Sequence, residues 1–207
     1  MVAFHVSKTL KIKSFKGIYT VNYSTSITSL LTNLNLNDAH VIIDSKVLDL
    51  YNDILSPILT KNKLLKIDAF EKNKSLEKMS EYVSWLVRNN IRRKLKLIAI
   101  GGGIIQDVTC FLSSTISRGV DWEYVPTTLL SQADSCIGSK SSINCNGVKN
   151  ILGTFNPPSK IFICNNFLDT LSNNEIKSGI GEMLKVHAID GPISFSNIKK
   201  DYDKILT

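Results

Sequence analysis

The sequence LKLIAIGGGIIQDVTC, residues 95–110, is the clearest indication of the fold class. Its apolar first half has the composition of a buried strand, three glycines follow, and a helix is expected from about Ile104 to Ser117. Glycines at the carboxyl end of a strand let backbone N–H groups approach a phosphate, which the N-terminus of the next helix also favours. The dinucleotide fingerprint GxGxxG is incomplete, because Gln106 stands at its third glycine, so a plain strand-to-helix turn remains an alternative.

Strand and helix patterns alternate on both sides of this stretch. Further strands are predicted at 40–44, 64–70 and 120–126. The segment 47–59 is expected to be helical as far as Ser56, where Pro57 follows. The segment 75–90 has apolar residues at helical spacing behind Ser75, a candidate N-cap. Because the strands are continuous apolar runs and do not alternate with polar residues, the pattern predicts an α/β fold with a parallel sheet.

Composition narrows the function classes. The 207 residues include 43% hydrophobic and 21% charged side chains, so they can bury a core, and the net charge of +7 suits an anionic partner. The basic residues are scattered without interleaved aromatics, which favours a small anionic molecule over nucleic acid. Four cysteines without CxxC spacing indicate reduced thiols in a cytoplasmic protein. No apolar leader and no membrane-length apolar run are found, so no membrane partner is expected.

The pattern of predicted secondary structure changes near Asn165. Before this residue strands and helices alternate, whereas the segment after it contains helical patterns without a clear strand. We therefore predict an α/β domain at residues 1–164, followed by the beginning of a helical domain at residues 165–207.

Polar side chains stand at the ends of the predicted strands. Asp44 ends the first strand, where it could accept hydrogen bonds from a ribose diol or cap the next helix. Glu71 and Lys74 follow the second strand and would either contact a nucleotide or be solvated charges. Thr127 and Thr128 follow the strand at 120–126 and offer two hydroxyls, although alone they indicate only a turn.

A dense polar segment, residues 131–150, contains two lysines and an aspartate among small residues, a set suited to anions and hydroxyls. Its candidate site residues are Asp134, Lys140, Lys149 and Asn150. Apolar residues interleave with them, at Ile137, Ile143, Val148 and Ile151. This interleaving favours a packed site, and an exposed loop with ordinary charges is the alternative.

Glu182 and Lys185 are three residues apart and share one face of a predicted helix. The surrounding residues are apolar, which predicts a largely buried helix, and a buried carboxylate needs a cation or a metal. An internal ion pair between the two residues is the alternative. His187 is near, but a lone histidine is more often structural than a ligand.

Four segments occur in the order and spacing of a known family. They are GGGIIQDVTCF, SRGVDWEYVPTTLLSQADSCIGSKSSIN, GVKNILGTFNPP and LDTLSNNEIKSGIGEMLK. In these segments the chain resembles the 3-dehydroquinate synthase family, within a wider group of NAD-dependent sugar-phosphate cyclases. The similarity is continuous from about residue 98 to 187, and weaker but collinear from Asp44 to Ser75.

The resemblance implies a Rossmann-like NAD-binding domain followed by a helical domain with a divalent metal, zinc or cobalt, in a homodimer. NAD-contacting positions would be Asp44, Glu71, Lys74, Gly102, Gly103, Asp107, Thr127, Thr128 and Thr170. Positions meeting cofactor and substrate would be Asp134, Lys140, Lys149 and Asn150. Lys185 would bind substrate, and Arg118 would reach a substrate phosphate across the dimer interface. Glu182 would be the first of three metal ligands.

The implied activity is a carbon–oxygen lyase reaction of the shikimate pathway. 3-Deoxy-D-arabino-heptulosonate 7-phosphate would lose phosphate and cyclise to 3-dehydroquinate. In this reaction NAD takes a hydride from one alcohol, which acidifies the neighbouring C–H, and later returns it.

Two departures from the family pattern point to alternatives. Glycines of the family are replaced here at Gln106, Cys110, Ser139 and Ser142, which indicates a subgroup acting on another sugar phosphate, such as sedoheptulose 7-phosphate. The helical domain of the family continues past Thr207 and supplies two histidine metal ligands there. A catalytically inactive NAD-binding module is therefore an alternative. An alcohol dehydrogenase of the same fold group is a third possibility.

Overall fold

The computed structural model describes residues 8–59 and 63–206, and its centre is a seven-stranded sheet with the order β1-β2-β9-β6-β5-β3-β4. Neighbouring strands are parallel except the antiparallel pair β1–β2. A separate antiparallel hairpin is formed by β7 and β8. In chain order the strands are β1 (Thr9–Ser14), β2 (Gly17–Ser24), β3 (Ala39–Asp44), β4 (Lys63–Ile67), β5 (Lys96–Gly101), β6 (Asp121–Pro126), β7 (Lys140–Cys145), β8 (Val148–Phe155) and β9 (Lys160–Cys164).

Helices pack on both faces of the sheet, and the last two helices come after the final strand in the chain. They are α1 (Ile27–Asn33), α2 (Ser45–Leu50), α3 (Asn52–Leu59), α4 (Leu76–Arg88), α5 (Gly103–Thr115), α6 (Asn173–Asp190) and α7 (Pro192–Leu206). Short 3₁₀ turns occupy Glu71–Asn73, Ile116–Arg118 and Asn165–Thr170, and a π-helical turn occupies Ser131–Ser135. No helix of the described residues is long and apolar enough to cross a membrane.

The central strands are buried on both faces, which explains their continuous apolar sequences. In β5, Leu97 and Ala99 face one core layer while Ile98 and Ile100 face the other. Each of these isoleucine side chains contributes about 1.5–3 kcal/mol when it is fully buried. The prediction of an α/β fold with a parallel sheet is confirmed.

The helix end predicted at Ser56 is wrong. Helix α3 continues to Leu59 with Pro57 inside it, and the chain bends earlier, at Tyr51, which separates α2 from α3. Leu55 and Leu59 lie one turn apart and are both buried, so their packing offsets the helical hydrogen bond that a proline cannot donate.

Three strands outside the predicted alternation complete the sheet. The hairpin β1–β2 forms one edge, and β9 lies between β2 and β6 although these are far apart in sequence.

The helix after the glycines begins at Gly103 and ends at Thr115, close to the predicted limits. The expectation about an N-terminal leader depends partly on residues 1–7, which lie outside the described residues.

Helix α6 is more exposed than its apolar residues suggested. Gly179 and Ile180 are its buried residues, whereas 42% of the surface of Val186 and 78% of that of Ile189 are exposed. The expectation of a largely buried helix around Glu182 is therefore wrong within the described chain. The predicted boundary between residues 164 and 165 stays a prediction.

Candidate functional site

A groove opens where the parallel strands β3, β5 and β6 end. Its larger part is a cleft of about 330 Å³, and a smaller hollow continues it toward the 3₁₀ turn Asn165–Thr170. Both parts share Asp44, Lys46, Thr128 and Glu175 as lining residues. The groove thus brings together the candidate cofactor residues Asp44, Gly102, Gly103, Thr127, Thr128 and Thr170.

The glycine turn forms the floor of this groove. Gly102 is the N-cap of α5, and no side chain caps the helix. A Cβ on Gly102 would lie 2.9 Å from Thr128 Cγ2, whereas a Cβ on Gly103 would meet nothing within 4 Å. The first-turn N–H groups of a 13-residue helix therefore face the groove with the positive end of the helix dipole, an arrangement suited to a phosphate.

Thr127 carries a buried hydroxyl that needs a partner. Its Oγ1 has no hydrogen-bond partner among the side chains and backbone groups that the structure describes, and only 2% of the residue surface is exposed. An unpaired buried hydroxyl costs about 1–3 kcal/mol. Because Thr127 lines the groove, a bound polar molecule could supply that partner. The neighbouring Thr128 is already paired, through Oγ1 and Ser131 Oγ at 2.9 Å.

Asp44 caps helix α2, which confirms one of the two roles that the sequence predicted for this residue. Its Oδ1 accepts a hydrogen bond from the backbone N–H of Lys46 at 3.0 Å. Burial raises the pKa of this carboxyl, and the hydrogen bond and charge of Lys46 partly oppose the shift. The cap occupies one oxygen of the carboxylate, so the cap and a ribose contact are compatible.

An ion pair forms part of the lining of the groove. Lys46 Nζ lies 3.1 Å from Glu175 Oε1 and 3.3 Å from Oε2. Glu175 also completes a capping box with Ser172 at the start of α6. Sequence reasoning missed this pair. The S-x-x-E spacing predicts the capping box, but no local signal reveals a partner 129 residues away.

Lys74 is the centre of a second polar cluster. Only 6% of its surface is exposed, and its Nζ lies 2.9 Å from Asp107 Oδ2 and 2.9 Å from Asn150 Oδ1. Glu71 is farther away, with Oε1 at 3.9 Å from the same nitrogen. Burial raises the pKa of Asp107, against the opposing effect of Lys74. The alternative of a solvated Lys74 is therefore wrong.

The same cluster holds the β7–β8 hairpin. Ser142 N donates to Asp107 Oδ1 at 3.1 Å, and Asn144 Nδ2 donates to Glu71 Oε1 at 2.9 Å. Asn150 adopts a left-handed conformation, with φ of 56°, and its N–H donates to Asn144 Oδ1. The candidate residues Glu71, Lys74, Asp107 and Asn150 are thus directly connected.

The packing argument for the dense polar segment is only partly right. Ile143 is fully buried, but 43% of the surface of Ile137, 52% of that of Val148 and 59% of that of Ile151 are exposed. Hydrogen bonds, and not interleaved apolar residues, hold this segment in place. The lysines Lys140 and Lys149 are exposed on the hairpin.

Asp134, Glu182 and Lys185 form a third group, between the π-helical turn and α6. Glu182 pairs with Lys185, which confirms the ion-pair interpretation. The pKa of Asp134 is raised by burial, then by the charge of Glu182 and by a hydrogen bond between the two carboxyl groups. The hydrogen bond and the charge of Glu182 raise the pKa of Lys185.

The described residues do not complete a metal site. Among the described side chains, those of residues 8–59, 63–200 and 202, no three or more His, Cys, Asp or Glu residues converge as metal ligands. Glu182 is occupied by Lys185, and His187 Nδ1 lies 2.7 Å from Ser194 Oγ. Glu182 is thus the single predicted metal ligand that this part of the chain supplies.

Comparison with known proteins identifies the family. Residues 64–178 match the model described as "3-dehydroquinate synthase N-terminal". The chain belongs to the 3-dehydroquinate synthase family. A 3-dehydroquinate synthase from Clostridium tetani is 39% identical over 175 residues, which cover 82% of this chain and 46% of the relative. A 2-epi-valiolone synthase from Actinosynnema mirum is 36% identical over 185 residues, which cover 87% and 48%.

Solved structures agree with this assignment. A 2-epi-5-epi-valiolone synthase from Streptomyces hygroscopicus, with NAD+ and Zn2+ bound, matches with a TM-score of 0.74 and 32% identity over 89% of this chain and 52% of its own. A 2-deoxy-scyllo-inosose synthase, at 22% identity and a TM-score of 0.77 over 87% and 53%, has the same fold. The chain therefore spans about half the length of the relatives it matches.

Arg118 does not line the groove described above. It follows α5 at the end opposite the glycine turn, and the 13 residues of the helix separate the two by about 20 Å. Arg118 is exposed, and both it and Ser117 have positive φ, at 67° and 52°. The structure does not bring Arg118 to the groove within one chain.

Proposed function

We propose that this chain is the NAD-binding part of a 3-dehydroquinate synthase, with an α/β domain at 1–164 and the start of a helical domain at 165–207. The enzyme would convert 3-deoxy-D-arabino-heptulosonate 7-phosphate to 3-dehydroquinate and release phosphate. The observation that carries the proposal is the uncapped N-terminus of α5, with Gly102 and Gly103 facing a groove. The free cysteines agree with a cytoplasmic protein.

NAD fits the groove through groups that are already in place. The N–H groups at the start of α5 would bind its pyrophosphate, and Asp44 would accept hydrogen bonds from a ribose. Thr127 would pair its free hydroxyl with the cofactor, and Thr170 lines the adjoining hollow. When bound, NAD would supply reversible hydride transfer with an alcohol of the substrate.

The substrate would lie beside the cofactor, against the polar segment. The exposed ammonium groups of Lys140 and Lys149 would attract its carboxylate and phosphate. Asp134 would contact hydroxyl groups of both the cofactor and the substrate, and Lys185 would contact those of the substrate. Asn150 would be held by Lys74. Because Arg118 lies at the far end of α5, it would reach a substrate phosphate only from a second copy of the chain. We therefore propose a homodimer.

A divalent metal would need ligands beyond the described residues. Glu182 would provide one carboxylate oxygen after release from Lys185. The 2-epi-5-epi-valiolone synthase relative contains Zn2+, which supports zinc as the first choice, with cobalt as the alternative.

A second candidate substrate is sedoheptulose 7-phosphate. The relative from Actinosynnema mirum is a 2-epi-valiolone synthase, and its 36% identity is close to the 39% of the relative from Clostridium tetani. The residues Gln106, Ser139 and Ser142 near the site also favour a separate subgroup. The choice between these sugar phosphates therefore needs a direct comparison.

The test begins with calorimetric titration of NAD into the purified chain. Phosphate release is then followed with each of the two sugar phosphates, NAD and Zn2+ or Co2+. Each mixture is run with and without the C-terminal half of the Clostridium tetani relative.

We expect NAD to bind and phosphate to be released from the heptulosonate only when that half is added. Release only from sedoheptulose 7-phosphate would establish the second candidate. NAD binding without any release would indicate an inactive cofactor-binding module.

A further inference from the structure

Gln106 makes two hydrogen bonds to one residue on another element. Its side chain extends from α5, and only 6% of the residue surface is exposed. Nε2 donates to the carbonyl oxygen of Ser135 at 2.6 Å, and Oε1 accepts from Ser135 Oγ at 2.7 Å. Both ends of the amide are therefore satisfied by Ser135, the residue that follows Asp134.

The segment held in this way is the π-helical turn Ser131–Ser135. The amide of Cys136 donates to Ser131 O at 2.9 Å, the wide hydrogen bond of a π-turn. From the other side, Gln132 Nε2 donates to Pro126 O and Cys164 O at the ends of β6 and β9. Because π-turns are rare and frequently occur at functional sites, side-chain hydrogen bonds that anchor one to α5, β6 and β9 indicate a required geometry.

We propose that Gln106 is a positioning residue that holds Asp134 in the site through Ser135. The proposal rests on the proposed function, in which Asp134 meets the cofactor and substrate. Relaxation of the turn to α-helical hydrogen bonding would rotate Asp134 about the turn axis. Functional groups must stay within about 0.5 Å and 10–20° of a productive geometry, so such a rotation would remove Asp134 from its place.

The geometry also explains why a large side chain stands at a glycine position of the dinucleotide fingerprint. Position 106 lies one turn after the glycine loop, on the side of α5 that faces Ser135 and not the groove lining. A glycine there would leave the carbonyl and hydroxyl of Ser135 without this partner. Gln106 therefore links the helix that begins at the phosphate site to the turn that carries Asp134.

The first measurement is amide hydrogen exchange of the full chain. Gln106→Leu keeps most of the side-chain volume and removes both hydrogen bonds, and Ser135→Ala removes only one. We expect the Cys136 amide to exchange about tenfold faster in Gln106→Leu, less so in Ser135→Ala, and at the normal rate in Ser135→Thr, which keeps the hydroxyl. Ser114→Ala is the control, because it removes a hydrogen bond within α5 to Phe111 O. An unchanged Cys136 amide in Gln106→Leu would overturn the proposal.

The second measurement is a double-mutant cycle in NAD affinity between Gln106→Leu and Asp134→Asn. If Gln106 acts through Asp134, its substitution weakens binding about tenfold alone and has little further effect once Asp134 is replaced. Additive effects would show that Gln106 acts elsewhere and would overturn the proposal. If the unmodified chain fails to bind NAD, the proposed function fails, and the exchange experiment decides alone whether Gln106 holds the turn.

Discussion

At the scale of single residues, Lys74 shows how burial changes the role of a charge. Its ammonium group is enclosed between α5 and the β7–β8 hairpin and contacts Asp107 and Asn150. Removing one partner of a buried ion pair leaves the other without compensation, which costs more than the pair contributes when intact. The residue therefore stabilises the site as well as the fold.

Lys74→Met is expected to lower the free energy of unfolding by on the order of 3 kcal/mol, because Asp107 loses its cation. Lys78→Met is the matched control. Lys78 pairs with Glu81 on the exposed face of α4, and such pairs contribute about 0.2–1 kcal/mol. Urea unfolding of both variants measures the difference. Equal losses would contradict the interpretation of Lys74 as a buried, paired charge.

At the scale of elements, the start of α5 combines a strand end, a glycine turn and a helix dipole. The two glycines differ, because Gly102 is confined by Thr128 whereas Gly103 borders open space. A side chain at position 103 would therefore be accepted by the folded chain but would occupy the place proposed for the pyrophosphate.

Gly103→Ala is expected to leave the free energy of unfolding unchanged or slightly higher, since alanine is the better helix former. NAD affinity should fall about tenfold, a loss of about 1.4 kcal/mol. Gly181→Ala in α6 is the control, because a Cβ there also meets nothing within 4 Å. Thermal unfolding and calorimetric titration give the two quantities. Unchanged NAD affinity in Gly103→Ala would place the pyrophosphate elsewhere.

At the scale of the whole molecule, the groove and Arg118 lie at opposite ends of α5. The chain also spans about half the length of its relatives, and it contributes a single predicted metal ligand. Under the proposed function, the sugar-phosphate site would combine this groove with Arg118 from a second copy of the chain.

Arg118→Gly and Ser117→Gly are expected to separate strain from function. Both residues have positive φ, so glycine at either position should raise the free energy of unfolding by up to about 1 kcal/mol. Only Arg118→Gly should weaken binding of the sugar phosphate, while NAD affinity stays unchanged. One calorimetric titration of NAD and a second of the sugar phosphate in the presence of NAD measure the two affinities, and light scattering measures the mass of the assembly. Equal sugar-phosphate affinity in the two variants would remove Arg118 from the site.

Local sequence signals determined the elements around the groove. Continuous apolar runs predicted β3, β5 and β6, because strands of a parallel sheet are buried on both faces. Ser75 forms the predicted cap of α4, and the glycines of residues 101–103 lie at the predicted strand end. These features depend on neighbours within a few residues, so the sequence alone predicts them. The roles of the candidate site residues were then inferred from the resemblance to the family.

The packing of whole elements determines which of these residues contact one another. The order of the strands places β9 beside β6, and the hairpin β7–β8 lies against α5. Lys74 is consequently buried with Asp107 and Asn150, 33 and 76 residues away, and Gln106 reaches Ser135 across 29 residues. Such contacts follow from how whole elements pack against one another. The sequence thus determined the strand ends and the glycine turn, whereas packing determined which charges are buried and which side chain holds Asp134.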